Sequence, residues 1–272
     1  MSRLLEVAGL HKVYERSALL SARRHAVHAV RDVSFQLERG TIFGLVGESG
    51  SGKSTLARAM LHIDPPTEGT VTFSGRAVAS IPRRELRQKM QIVSQDPNSA
   101  LNPRLRIETS VGEGLANAGV RGDERKRRVM EMLELVGIPA SRMHHYPHEF
   151  SGGMKQRICI ARALAVAPEL LVLDEPVSSL DVSIQAQIIN LLTDLKSKLN
   201  LTYVFISHDI NLVGYISDVI GVMRQGELVE LGPTETLMTG ANHEYTQKLL
   251  GSVPRYVDRR TFHHTLQSRS AV

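Results

Sequence analysis

Apolar positions along the chain follow three patterns, and each predicts a different element. Residues 4–10 and 28–37 read as two strands of a small amino-terminal sheet, the second with apolar and polar residues alternating over Val33–Leu37 and ending before the turn Glu38-Arg39-Gly40. Residues 70–74 add another strand, closed by Gly75. Between the first two lies Arg16 to Arg24, polar and basic, expected as a solvent-facing hairpin tip or else a partner or membrane-surface contact. Mainly apolar runs form the second pattern: Ile42–Val46, Leu170–Leu173 and, as a third buried-strand candidate, Leu201–Ser207. Such runs suit strands covered on both faces, as in a parallel sheet. Helical spacing is the third pattern. Leu56–Leu61 reads as helix, and Val129, Met132, Leu133 and Val136 line one face of a segment over 124–136 that Gly137 stops. Ile184, Ile188, Leu191, Leu192, Leu195 and Leu199 mark a long amphipathic helix whose apolar stripe is expected in the core. Strands follow at 219–223 and 228–230 with Gly226 at their turn, then short helices at 235–238 and 245–250.

The chain has 272 residues, enough for one large domain with a smaller lobe. At 42% hydrophobic and 22% charged the composition is ordinary, and no apolar stretch reaches the roughly 18 residues a membrane-spanning helix needs. The net charge of +5, from 33 basic and 28 acidic side chains, is modest and forms no continuous stripe, so no nucleic-acid partner is expected. One cysteine, Cys159, excludes an internal disulfide and a cysteine-built metal or iron–sulfur site; its apolar neighbours predict a buried helix residue. The amino terminus shows no signal segment, and the expected location is cytosolic.

Candidate chemistry begins after the strand at Ile42–Val46. Gly47, Gly52, Lys53 and Ser54 fit G-x-x-x-x-G-K-[ST] in a strand–loop–helix setting, the signature of a polyphosphate loop. Glycines let backbone N–H groups turn inward, and the following helix adds the positive end of its dipole. The expected nucleotide contacts are Gly47, Glu48, Ser49, Gly50, Ser51, Gly52, Lys53, Ser54 and Thr55, with Lys53 reaching the β/γ-phosphates and Ser54 ligating Mg²⁺. Asp174 and Glu175 follow the run Leu170–Leu173, at the strand end where open α/β sheets bind ligands. Asp174 suits Mg²⁺ held through water and Glu175 suits orienting the attacking water; a solvated turn is the plainer alternative. His208 ends another buried run and could reach a γ-phosphate, or could cap the next helix.

Ser151-Gly152-Gly153-Met154-Lys155-Gln156-Arg157 resembles the signature motif of ATP-binding cassette (ABC) ATPases. The other motifs of that family follow its order, and the resemblance covers residues 4 to 250. It implies an α/β P-loop NTPase with a parallel-sheet core, a small antiparallel β subdomain and a helical signature lobe. One ATPase domain over 1–250 is expected, with its core in 1–97 and 151–250, a helical lobe over 98–150, and an extension over 251–272. It further implies that Tyr14 stacks on adenine and that Gln95 contacts Mg²⁺ and senses a transmembrane partner. Asp181 would lie in a loop crossing a dimer interface, and His208 would be the switch histidine. Ser151, Gly152, Gly153 and Met154 would face the nucleotide of a second ATPase subunit, like or unlike, in a head-to-tail dimer. Met154 stands where the motif usually has Gln and lacks its amide.

Ser99–Arg104, His145–Phe150, Val182–Gln187 and His243–Leu250 resemble the dipeptide, oligopeptide and nickel importer branch of the same family. That resemblance implies ATP and Mg²⁺ as ligands, two permease subunits, an extracytoplasmic solute-binding protein, and a place on the cytoplasmic face of the cell membrane. It implies peptide import first and nickel or metal-chelate import second. A non-transport ABC ATPase acting on nucleic acid is the remote alternative; the long coiled coil or second cassette usual there is missing from the sequence.

Overall fold

The structure is a computed structural model and describes residues 2–16 and 25–252. The basic stretch after Arg16 and the 253–272 part of the extension lie outside the described residues. Along the chain come β1 (Arg3–Arg16), β2 (His25–Glu38), β3 (Ile42–Val46), α1 (Lys53–Met60), β4 (Glu68–Phe73) and β5 (Arg76–Ala77). Then follow α2 (Arg83–Lys89), β6 (Met90–Val93), α3 (Pro97–Ala100), α4 (Ile107–Asn117), α5 (Gly122–Leu135), α6 (Gly152–Leu164), β7 (Leu170–Asp174) and α7 (Val182–Leu199). The chain continues through β8 (Thr202–Ser207), α8 (Ile210–Ile216), β9 (Val219–Arg224), β10 (Glu227–Pro233), α9 (Thr234–Gly240) and α10 (Glu244–Gly251). Contacts group the described residues into two compact units, one of 2–16, 25–81 and 204–252, the other of 82–203, with the boundary inside β8.

The first unit contains an antiparallel sheet ordered β2-β1-β4-β5. In β2, Val33, Phe35 and Leu37 are buried while Ser34, Gln36 and Glu38 are exposed, the period of two that a half-covered sheet requires. β1 and β2 run several residues longer than the sequence predicts, and their ladder continues through several register shifts. Phe35 stacks on Phe43 of β3 with ring centroids 4.5 Å apart. β3 pairs in parallel with β9, and every residue of β3 is buried, as its unbroken apolar run demands. β10 returns antiparallel on β9 through Gln225-Gly226, whose φ values of 50° and 90° place both residues in the left-handed region of a two-residue hairpin turn.

In the second unit β6 and β7 pair in parallel, Met90 opposite Leu170 through Val93 opposite Leu173. α4, α5 and α6 pack on one another. α5 buries Val129 and Leu133, as its spacing predicts. α7 buries Ile188, Ile189, Leu192 and Leu195 but leaves Leu199 41% exposed, so the apolar stripe expected in the core stops a turn early. Asn200, left-handed at φ 50°, ends the helix there. Cys159 is buried in α6, and burial pushes its thiol up to about 11.

Candidate functional site

The first unit carries the phosphate loop. β3 delivers the chain to Gly47, and α1 begins at Lys53. Gly52 occupies the position before the helix at φ 105°, where a Cβ would lie 2.3 Å from the Ala29 carbonyl oxygen, so no other residue fits without moving β2. Lys53 is only 5% exposed; its Nζ donates to the Gly47 carbonyl at 2.7 Å and the Glu48 carbonyl at 2.9 Å. The ammonium is thus held inside the curve of its own loop, where carbonyl dipoles offset the cost of burying it. Ser54 is exposed in the first turn of α1 and Thr55 is half-buried.

Tyr14 sits beside that turn. Its hydroxyl donates to Asp64 at 2.5 Å, the Lys12 ammonium lies 5.1 Å from its ring centroid, and Thr55 also bears on its hydroxyl. Burial, followed by the Asp64 carboxylate, raises the Tyr14 pKa. Hydrogen bonds from Lys12 and then Tyr14 hold Asp64 below the usual carboxylate range. The phenol ring is fixed by this trio while remaining 38% exposed. His208, also in this unit, is exposed at the end of β8. Asp209, not His208, caps α8, accepting from the N–H groups of Asn211 and Leu212, which removes the capping reading of the histidine.

The second unit carries the acids and the signature segment. Asp174 and Glu175 are half-buried at the end of β7. Glu175 has φ 48°, a left-handed conformation costly for a side-chain-bearing residue and more so before Pro176. Gln95 Nε2 donates to Glu175 Oε2 at 3.2 Å and to Ser178 Oγ at 3.3 Å, while Ser178 Oγ donates to the Glu175 carbonyl at 3.1 Å. Both ends of the strained residue are therefore tied. Asp181 caps α7 through the Ile184 N–H at 3.0 Å and accepts from Ser183 Oγ at 2.8 Å; the first of these leads the lowering of its pKa.

Ser151 caps α6 by accepting from the Met154 N–H at 3.4 Å. Gly152 is exposed, but Gly153 is buried, and a Cβ there would lie 2.5 Å from Ile184 Cγ2. Close packing of α7 against α6 is a reason for this glycine that the sequence does not reveal. The Met154 sulfur accepts from Arg142 at 3.6 Å; Arg142 also donates to the Glu149 carbonyl at 3.0 Å and lies 4.2 Å from the Phe150 ring centroid. The methionine thus faces a guanidinium clamp in its own lobe. Ser178 and Arg142 were not identifiable as contacts of Glu175 and Met154, since nothing in their spacing marks them.

The oxygen donors are taken unit by unit. In the first unit Ser54 presents a hydroxyl at the end of the loop. In the second, the Gln95 amide nitrogen is engaged by Glu175 and Ser178, which leaves its oxygen, and Asp174 adds a carboxylate at the end of β7. Hydroxyl, amide and carboxylate oxygens are of the hard type that Mg²⁺ accepts beside water and phosphate. No cluster of three or more His, Cys, Asp or Glu that could hold a metal occurs among the described residues.

A buried parallel strand, a glycine loop closing on Lys53, and paired acids at the end of another parallel strand define an α/β P-loop nucleotide-binding protein. The family model described as ABC transporter matches residues 30–178, and one described as oligopeptide/dipeptide transporter, C-terminal region, matches 229–271. The dipeptide transport ATP-binding protein DppF of Lactococcus lactis is 46% identical over 93% of this chain and 81% of its own length. The oligopeptide transport ATP-binding protein OppF of Bacillus subtilis is 48% identical over 85% of this chain and 78% of its own. A dimeric ATP-binding cassette in a post-hydrolysis state bound to ADP and Pi superposes with a TM-score of 0.74 at 28% identity, covering 85% of this chain and 99% of that one. The chain belongs to the ABC transporter family, as an ATPase. No helix among the described residues is long and apolar enough to cross a membrane.

Proposed function

We propose that this ATPase energises the import of peptides across the cell membrane, working peripherally on its cytoplasmic face. The observation that carries the reading is the match of residues 229–271 to the oligopeptide/dipeptide transporter C-terminal region, which lies outside the part matched by the general cassette model. Relatives whose names specify peptide transport support it. In this reading two permease subunits cross the membrane and an extracytoplasmic binding protein delivers the solute. The chain pairs head to tail with a second ATPase subunit, like or unlike.

The inward-facing amides of the Gly47–Thr55 loop and the Lys53 ammonium hold the triphosphate, and Tyr14 presents its pinned ring to the adenine. Ser54, Gln95 and, through water, Asp174 would hold Mg²⁺, which supplies charge neutralisation at the phosphate oxygens. Glu175 orients water toward the γ-phosphorus and accepts its proton, with His208 on the γ-phosphate. Catalysis of this kind is positioning plus charge stabilisation. The hydrogen bond from Gln95 to Glu175 links the residue facing the transmembrane partner to the one that handles water. Ser151–Met154 completes the partner's site, and Asp181 meets it across the interface.

The test is uptake of a labelled tripeptide and of labelled nickel in cells whose only copy carries Glu175→Gln. Peptide uptake is expected to fall to background with nickel uptake unchanged. Intact peptide uptake with lost nickel uptake overturns the reading.

A further inference from the structure

We infer that Tyr245 of α10 is a positioning residue for the phosphate loop, setting its affinity for the nucleotide from the loop's outer side. The inference rests on the reading of that loop as the triphosphate site. A loop that turns some of its N–H groups inward toward an anion leaves others pointing out, and glycines give it no side chains with which to brace itself. Something on the outer face must satisfy the outward groups and hold the turn.

Two contacts brace that face here, one through a loop carbonyl and one through a loop N–H. The Ser51 carbonyl accepts from the Gly226 N–H at 2.9 Å, which ties the loop to the β9–β10 turn. The Glu48 N–H donates to the Tyr245 hydroxyl at 3.2 Å. Elsewhere this side of the loop borders a cavity of about 440 Å³, lined by Glu48, Ser51, Arg224, Tyr245 and Lys248 among others. With open space there, the phenol carries a role that packing does not duplicate.

Tyr245 is itself built in. It is 5% exposed, and the Arg224 guanidinium lies 5.0 Å from its ring centroid. Its backbone N–H donates to His243 Nδ1 at 3.1 Å, capping α10 and fixing where the helix starts. The segment His243–Leu250, which the nucleotide chemistry leaves unexplained, thereby acquires a function: it presents one hydroxyl to the loop.

Tyr245→Phe removes that hydroxyl and leaves the ring under Arg224. The full-length protein is titrated with ATP calorimetrically, well below its melting temperature. Hydrogen exchange is followed at the Glu48 amide and at β3 amides as a reference. The expected result is roughly tenfold weaker ATP binding, a raised KM with little change in kcat, and faster exchange at Glu48 alone, as for a lost hydrogen bond to an exposed-facing loop. An ATP affinity within twofold of the parent, or exchange that rises equally in β3 and Glu48, overturns the inference. Lys53→Ala separates the two levels. If it leaves ATP binding intact, the loop reading itself fails; if it abolishes binding while Tyr245→Phe has no effect, only the role of Tyr245 fails.

Discussion

Gly153→Ala is a test of how the signature helix is seated. The added Cβ would stand 2.5 Å from Ile184 Cγ2, where ordinary contact begins at 3.4 Å. That methyl sits on a β-branched side chain within α7, so it cannot rotate away freely. Overpacking of this size costs about 1–3 kcal/mol. Against it, alanine in a helix gains about 1 kcal/mol over glycine. The net is a loss of about 1 kcal/mol, or roughly 2–4 °C in Tm for a chain of this size. Deleting the obstructing methyl reverses the balance: in an Ile184→Ala background only the helical gain remains. The same substitution is therefore expected to destabilise the parent and to stabilise the Ile184→Ala protein. Thermal melting of the four proteins of this cycle measures it, with a coupling of about 1–3 kcal/mol expected. Additivity within about 0.5 kcal/mol would show that Gly153 is not held by α7.

Two further outcomes follow from the site. Glu175→Gln keeps shape and removes charge, so ATP affinity in equilibrium titration should be retained while steady-state hydrolysis falls about 10²–10⁴-fold; hydrolysis near the parent rate removes Glu175 from its role. Cys159, 2% exposed and with its thiol pushed up to about 11, should resist alkylation at pH 8 in the native protein and take one label per chain in denaturant; prompt native labelling would show that α6 opens.

The sequence disclosed elements wherever one force dominates. β3, β7 and β8 were legible because strands covered on both faces are made mainly of apolar side chains, and the alternation of β2 was legible because its sheet has one covered face. The loop from Gly47 to Ser54 was legible because few residue types can wrap a phosphate. α4 was not read as a separate helix, since its run Ile107–Asn117 holds two glycines, Gly112 and Gly114, that argue locally against helix. Tertiary packing reverses that preference: a Cβ at Gly114 would lie 2.8 Å from Val166 Cγ1, so the helix needs a glycine to approach its neighbour.

The least legible feature is the conformation of Glu175, because backbone strain leaves no compositional trace. A left-handed residue before proline persists only where its surroundings over-determine it. Here the Ser178 hydroxyl binds its carbonyl and the Gln95 amide binds its carboxylate. Ser178 and Gln95 are bound to each other as well, so the three form a closed ring of hydrogen bonds. A shift of Gln95 would therefore release one restraint on the strained residue and move its carboxylate. On the proposed reading, in which Gln95 faces a permease and Glu175 handles water, this contact would give their link a physical content: backbone strain held by a hydrogen bond that the glutamine can break.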